Sequence, residues 1–207
     1  MDALNDFLFS AVSTPWVYFV VFAVAVIDAF FPPIPSESVV IAAAVASVSL
    51  GQPNLPLVVL VAAAGAIVGD NLTFTIGRVL GIDRFAWMRR PRIRAALDGA
   101  GRGLERRATV ALLTARYIPV GRVAVNLVAG ATGMPPKRFF GISVVAGICW
   151  ALYSVVIGTL AGNWFGGNTA VGIIVGIVLG VGTGLVIDAV LNQVSRKRSR
   201  EAKLGAR

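Results

Sequence analysis

The 207-residue chain is 57% hydrophobic and only 14% charged, whereas about a quarter of the residues in a typical soluble domain carry charge. It has no histidine and one cysteine, which excludes histidine acid–base catalysis, histidine metal sites and cysteine-based zinc or disulfide frameworks. The net charge of +9 comes mostly from arginine. In a chain this apolar, we interpret it as membrane orientation and contact with anionic lipid headgroups, not as nucleic-acid binding.

The N-terminal region combines a short amphipathic stretch with an apolar run that contains an acid. Residues 1–14 are mildly amphipathic, which favours a helix lying at the membrane interface. The run 15–31 is apolar apart from Asp28 near its far end. It is either a full span or the outer arm of a hairpin, and the side on which the N-terminus lies depends on that choice.

Prolines break this first helix. Three of the four residues 32–35 are proline, which removes backbone donors and disfavours helix. A second apolar helix follows, with Ser36 as its expected N-cap and Glu37 favourably placed in its first turn. The pattern predicts a re-entrant helical hairpin over about 15–50.

The apolar run 55–77 is long enough to cross a bilayer. At about 1.5 Å per residue it measures roughly 34 Å, against a hydrocarbon core of about 30 Å. It contains Asp70, and small residues at 62–66 and at Gly69 favour close packing against another helix. We predict a transmembrane helix here, with an acid at membrane depth.

Two basic segments determine the expected topology. Residues 78–107 hold nine arginines against three acids, and residues 195–207 hold six basic residues against one acid. Cytoplasmic segments of membrane proteins are enriched in Lys and Arg. We therefore expect both segments on the cytoplasmic side of a bacterial inner membrane.

The unit between these basic segments is predicted to enter and leave the membrane on one side. Residues 108–134 form two apolar arms around a break at 118–121, and each arm measures roughly 15–18 Å, half a bilayer. The runs 138–162 and 168–191 are each long enough to span. If 108–134 crossed as well, the basic tail would end outside, so the charge pattern predicts a second re-entrant hairpin.

The two halves of the chain are similar in sequence. PSESVVIAAA (35–44) is matched by PVGRVAVNLVAG (119–130), and IGRVLG (76–81) is matched by IGTLAG (157–162). Hairpins entering from opposite sides would make an inverted repeat, as in many transporters. We predict an all-α integral membrane protein with two opposed re-entrant hairpins, three to four transmembrane helices and a membrane core over 15–162.

Arginines mark the break of the second hairpin. Arg116 and Arg122 flank residues 118–121, and a charge at the bilayer centre costs about 2.5–3.5 kcal/mol on insertion scales. The guanidinium is a planar fork of donors that suits phosphate oxygens. We predict that both arginines bind an anionic headgroup, and that Asn126 lines the same cavity or makes an interhelical contact.

Three acids lie at comparable depth. Asp28, Glu37 and Asp70 would neutralise the arginines while no ligand is present, and one or more would take a proton when a ligand enters. The alternative is that these residues form static buried ion pairs that hold the hairpins together. Both interpretations place the acids near the arginines.

Three motifs of the chain resemble one family of membrane proteins. The segments DAFFPPIPSE (28–37), GAIVGDNLTFTIGRVLG (65–81) and RYIPVGRVAVNLVAGATGM (116–134) together resemble the bacterial DedA family, relatives of the eukaryotic VTT-domain, or SNARE-associated, lipid scramblases. The resemblance implies two opposed re-entrant hairpins and movement of lipids between leaflets. For several bacterial members it implies proton-dependent return of undecaprenyl phosphate, the cell-wall carrier lipid, to the cytoplasmic side.

The same resemblance implies roles for individual residues. By motif, the essential acids and arginines of the family and its Gly-Asp pair correspond here to Asp28, Glu37, Arg116, Arg122 and Asp70. The chain departs from the family at Asp28, where Glu is common, and at Phe74, where Tyr is common. The shorter carboxylate of Asp has a shorter reach to its partners.

We therefore predict a transporter, or flippase, that moves an anionic lipid across the inner membrane, with undecaprenyl phosphate as the first candidate and protons as coupling ions. Neither a metal nor a cofactor is expected. Two alternatives stay open: a proton-coupled exporter of cations or drugs, and a lipid-binding scaffold that transports nothing. No nucleophile–base pair is visible, which argues against an enzyme. The GxxxG at 162–166 and other small-residue runs permit homo-oligomers.

Overall fold

A computed structural model describes residues 13–31, 36–81, 112, 119–165 and 169–183 of the chain. These residues form helices and short connections without any strand. The helices are α1 (Trp16–Asp28), α2 (Ser36–Leu50), α3 (Leu55–Leu80), α4 (Pro119–Ala131), α5 (Pro136–Trp164) and α6 (Thr169–Thr183).

Several predicted features lie outside or mostly outside the described residues. They include the interfacial segment 1–14, the basic segment 78–107, the first arm of the second hairpin with Arg116, and the basic tail 195–207. The last predicted span, 168–191, is described as far as Thr183. These features remain predictions.

Two of the described helices are long and apolar enough to cross a membrane. α3 has 26 residues and α5 has 29, which corresponds to about 39 Å and 44 Å. They coincide with the spans predicted at 55–77 and 138–162 and extend beyond both. Each exposes large apolar side chains along its length, including Leu60 on α3 and Leu160 on α5, as expected for contact with lipid.

Three other helices are too short to cross. α1, α2 and α4 have 13, 15 and 13 residues, so each measures about 20–23 Å against a core of about 30 Å. The length of α1 favours the outer arm of a hairpin over a full span for 15–31. Residues 32–35 lie outside the description, so the re-entrant path itself remains a prediction.

Local signals in the sequence explain where the long helices begin and end. The side-chain oxygen of Asn54 accepts a hydrogen bond from the Leu57 amide at 3.1 Å and caps α3. Gly81, with a φ of +62°, ends it. Ser36 is not the predicted N-cap: it is already helical, and its hydroxyl donates to Asp28.

The long helices pack against each other, and each also packs against a short helix from the other half of the chain. α4 lies on α3, α2 lies on α5, and α1 lies on α3. A Cβ at Gly77 would overlap the Leu127 carbonyl oxygen, and one at Gly158 would lie 2.7 Å from the Ile41 carbonyl oxygen. Gly77 and Gly158 are matched positions of the internal similarity, so matched residues make matched close contacts.

Candidate functional site

Arg122 is the centre of a buried charged cluster. It lies in the first turn of α4 and is only 7% exposed. Its Nη2 atom is 3.2 Å from Oδ2 of Asp28, the last residue of α1. Its Nε atom is 3.7 Å from Oδ1 of Asp70, in the middle of α3. One guanidinium therefore joins three helices.

Asn126 extends the cluster by one helical turn. It follows Arg122 by four residues, which places both side chains on one face of α4. Its amide nitrogen donates to Oδ1 of Asp70 at 3.0 Å. Asn126 therefore lines the small space beside Arg122 and also connects α4 to α3.

Asp28 is held at the end of α1 by groups from two other helices. A carboxylate at a helix C-terminus is disfavoured by the helix dipole, so it needs compensating partners. Arg122 supplies an ion pair, and the Ser36 hydroxyl donates a hydrogen bond. These contacts connect the two sides of the proline break.

The end of α1 is positioned by a close contact with α3. A Cβ at Gly69 would lie 2.6 Å from the Ala29 Cβ, and the Thr73 hydroxyl donates to the Ala29 carbonyl at 2.9 Å. Sequence reasoning assigned Gly69 to packing but passed over Thr73, because a hydroxyl in an apolar run is common. Its complete burial in the structure identifies its role.

A small cavity adjoins the cluster. Its volume is about 10 Å³, enough for about one water molecule. The lining residues are Asp70, Leu112, Arg122, Asn126, Phe139, Ser143 and Ala146. The space beside Arg122 is therefore too small for a phosphate group. Nη2 of Arg122 is buried and makes an ion pair but no hydrogen bond, which leaves donor capacity unused.

Glu37 occupies a different environment. Within the described residues the ion pairs of Arg122 go to Asp28 and Asp70, and Glu37 is not among its partners. Its Oε1 atom is buried without a hydrogen bond, and a Cβ at Gly180 of α6 would lie 3.0 Å from it. The Tyr153 side chain is a hydrogen-bonding neighbour of its carboxyl group, and Asp28 acts on it through its charge. Glu37 thus lies near Asp28 but is not an ion-pair partner of Arg122.

The described residues therefore bring together four of the six predicted site residues: Asp28, Asp70, Arg122 and Asn126. Glu37 lies beside this cluster, under α6. Arg116 lies outside the description. The arrangement places one buried guanidinium between two carboxyl groups that come from two other helices.

Known proteins of one family are similar to this chain along most of its length. The VTT domain matches residues 31–160. Protein DedA of Escherichia coli (strain K12) is 29% identical over 156 residues, covering 73% of this chain and 69% of that protein. An uncharacterized membrane protein of Mycobacterium tuberculosis (strain ATCC 25618 / H37Rv) is 37% identical over 143 residues, covering 65% and 64%.

A further relative has a different kind of name. An alkaline phosphatase-like protein of Lactococcus lactis subsp. lactis is 24% identical over 155 residues, covering 71% of this chain and 72% of that protein. No solved structure matches the chain. The VTT match includes Asp70, Arg122 and Asn126, and it begins three residues after Asp28.

Proposed function

The chain belongs to the VTT-domain family of membrane proteins, and from this premise we propose that it transports an anionic lipid phosphate across the bacterial inner membrane. The observation that carries the proposal is the burial of Arg122 between Asp28 and Asp70. An ionisable residue at membrane depth is a functional candidate by default, because its insertion is costly.

Stability alone is a poor reason for this cluster. Buried ion pairs are often neutral or unfavourable compared with apolar residues of the same volume, because each charge loses its hydration. Arg122 lies where three helices meet, and two of them end or begin beside it. If the contact only held these helices together, apolar side chains would do so at a lower cost in desolvation free energy.

The chemistry of Arg122 favours phosphate as the bound group. The guanidinium stays charged and donates through a planar fork that matches two phosphate oxygens. We propose Arg116 as a second donor from across the break. Undecaprenyl phosphate is our first candidate substrate, since the resemblance to the DedA family implies it and its headgroup is a compact phosphate.

Charge exchange is the proposed working step. The lipid phosphate takes the donors of Arg122 from Asp28 and Asp70, and a released carboxylate then takes a proton. Glu37 is a second proton acceptor beside the cluster. The matched contacts of Gly77 and Gly158 support an inverted repeat, in which one hairpin and its long helix rock against the other pair.

The test is transbilayer movement of a polyprenyl phosphate in vesicles that contain the purified protein, with and without a proton gradient. We expect movement by the wild type and a large loss in Arg122→Lys, because a lysine cannot donate bidentately. Glu37→Gln should reduce the dependence on the gradient. Full activity of Arg122→Lys together with no activity of Glu37→Gln would contradict the phosphate site.

A second candidate function is a proton-coupled exporter of cations or drugs. The carboxyl group of Glu37, which forms no ion pair within the described residues, favours it. This function would depend on the acids more than on Arg122, so the same pair of variants distinguishes the two. A scaffold that only binds lipid would show binding in detergent and no movement in vesicles.

We also propose that the protein is not an enzyme. The assay above tests this directly when inorganic phosphate is measured in the same vesicles. We expect the lipid phosphate to arrive intact on the other leaflet. Release of inorganic phosphate by the wild type would instead support hydrolysis.

A further inference from the structure

A groove opens on the lipid-facing side of the seam between α3 and α5. Its volume is about 300 Å³. The lining residues are Ile67, Val68, Asn71, Leu72, Thr75 and Phe140. Leu72 and Phe140 are 45% and 54% exposed, so the groove opens towards the bilayer and its lining is mostly apolar.

This groove lies back to back with the charged cavity. Asn71 lines the groove, Ser143 lines the cavity, and the Asn71 amide donates to the Ser143 hydroxyl at 3.1 Å. Phe139 and Phe140 are neighbours on α5, and they line the cavity and the groove respectively. One hydrogen-bonded pair thus lies between the two spaces.

We infer that the groove binds the hydrocarbon chain of the lipid whose phosphate Arg122 binds, and that the seam at Asn71 and Ser143 is the portal for its headgroup. This inference rests on the proposed function and deepens it. The charged cavity, at about 10 Å³, has no room for a hydrocarbon chain. The phosphate reaches Arg122 only when Asp28 and Asp70 move away from it, and the hydrocarbon chain remains outside.

The polarity of the seam suits this path. A headgroup that passes between α3 and α5 meets Asn71 and Ser143, whose polar groups take over some of its hydrogen bonds. Asn71 also donates to the Ile67 carbonyl at 2.8 Å, so its amide keeps a partner when the contact to Ser143 opens. Breaking one hydrogen bond of a buried polar group costs less free energy when the group keeps another partner.

The test fills the groove without touching the charged cluster. In vesicles, Leu72→Trp and Phe140→Trp should each slow movement of a polyprenyl phosphate by at least about tenfold, as misplacement of a bound group commonly does. Leu60→Trp and Phe19→Trp are the matched controls, because both positions are lipid-exposed and lie outside the groove. The controls should move the lipid at the wild-type rate. Equal rates in groove variants and controls overturn the inference and leave the proposed function standing.

A binding experiment separates the inference from transport. A polyprenyl phosphate that carries a diazirine in its chain is photolysed with the wild-type protein in mixed vesicles, and the labelled residues are mapped by mass spectrometry. We expect labelling at Leu72 and Phe140 that excess unlabelled polyprenyl phosphate suppresses and excess phosphatidylcholine does not. Labelling no stronger than at Leu60, or unaffected by either competitor, overturns the inference. Suppressible labelling without any transport overturns the proposed transport and retains the groove.

Discussion

Arg122 and Glu37 lie near the starts of two similar helices, but their charged groups have different partners. Each lies in the first turn of a short helix that packs on a long helix from the other half of the chain. Arg122 has two acidic partners at 3.2 and 3.7 Å. Glu37 has a buried oxygen without a hydrogen bond, under a glycine of α6.

Under the proposed function, this difference corresponds to a division of roles between the first turns of α4 and α2. A cation held by two acids can exchange them for an anion, so the α4 end is suited to substrate. A carboxylate without a cationic partner among the described residues gains from neutralisation, so the α2 end is suited to a proton. Similar backbone positions thus carry different chemistry.

Removal of the cation should have the largest effect. In Arg122→Ala the buried carboxylate of Asp70 and the part-buried carboxylate of Asp28 lose their cationic partner, and loss of one member of a buried pair commonly costs about 3–5 kcal/mol. We expect a strongly lowered unfolding temperature in detergent and no lipid movement. Arg122→Ala in combination with Asp70→Asn should recover part of the stability, because only one carboxylate is then left without its cation. Wild-type stability of the single variant would contradict the paired cluster.

The loss of stability caused by an added methyl group should also differ between the matched glycines Gly77 and Gly158. Gly77→Ala places a methyl group against the Leu127 backbone on the α3–α4 side, and overpacking of this kind costs about 1–3 kcal/mol. Gly158→Ala tests the matched α2–α5 contact, where the added Cβ would lie 2.6 Å from the Ala44 Cβ and 2.7 Å from the Ile41 carbonyl oxygen. Because this overlap is smaller, Gly158→Ala should lower the stability less than Gly77→Ala.

Gly141→Ala is the control for both glycine variants. It lies in α5 with nothing within 4 Å of the added Cβ. Alanine is favoured over glycine in a helix by about 0.5–1 kcal/mol, so this variant should be unchanged or slightly more stable. Unfolding temperatures measured in detergent rank the three glycine variants. An equal drop in unfolding temperature in all three would contradict the close helix contacts.

Glu37→Gln should leave the fold intact. The substitution keeps the shape of the side chain and removes its charge, so we expect an unfolding temperature equal to or above that of the wild type. Lipid movement should lose most of its response to a proton gradient. An Asp28→Asn variant should instead be less stable, because it weakens the contact with Arg122. If Glu37→Gln lowered the unfolding temperature as much as Asp28→Asn, the distinction between Glu37 and the acids paired with Arg122 would be wrong.

The smallest effect is expected at Asn126. Asn126→Ala removes one neutral-to-charged hydrogen bond to Asp70, and interhelical hydrogen bonds in membranes contribute about 0.6 kcal/mol on average. We expect a small loss of stability and a few-fold loss of lipid movement. Ser154→Ala on α5 is the control, since its hydroxyl bonds within its own helix to the Trp150 carbonyl. A loss at Asn126 no greater than at Ser154 would place Asn126 outside the site.

The sequence singled out Asp28, Asp70 and Arg122 because a charge in an apolar run is conspicuous, and the structure brings these three side chains together. It also predicted both long helices, whose length and composition are unambiguous. It predicted the matched glycines, since the internal similarity aligned Gly77 with Gly158. Their close contacts with the opposite half of the chain became visible only in the structure.

Other features depend on tertiary packing and left little trace in the sequence. The choice of Asp28 and Asp70 over Glu37 as partners of Arg122 is set by how α1 and α3 meet α4. The hydroxyls of Ser36 and Thr73 were missed as contacts at the cluster, because Ser and Thr are inexpensive in apolar helices and therefore common there. Ser36 was assigned to a helix cap, whereas the structure gives its hydroxyl to Asp28.

The most direct test of the account is the affinity of the purified protein for a polyprenyl phosphate, measured for the wild type, Asp70→Asn and Arg122→Lys. If the phosphate replaces the acids on Arg122, Asp70→Asn removes a competitor and should bind the lipid more tightly than the wild type. Arg122→Lys should bind it more weakly. A folded Asp70→Asn protein that binds less tightly, or an Arg122→Lys protein that binds as well as the wild type, would contradict the exchange of acids for phosphate.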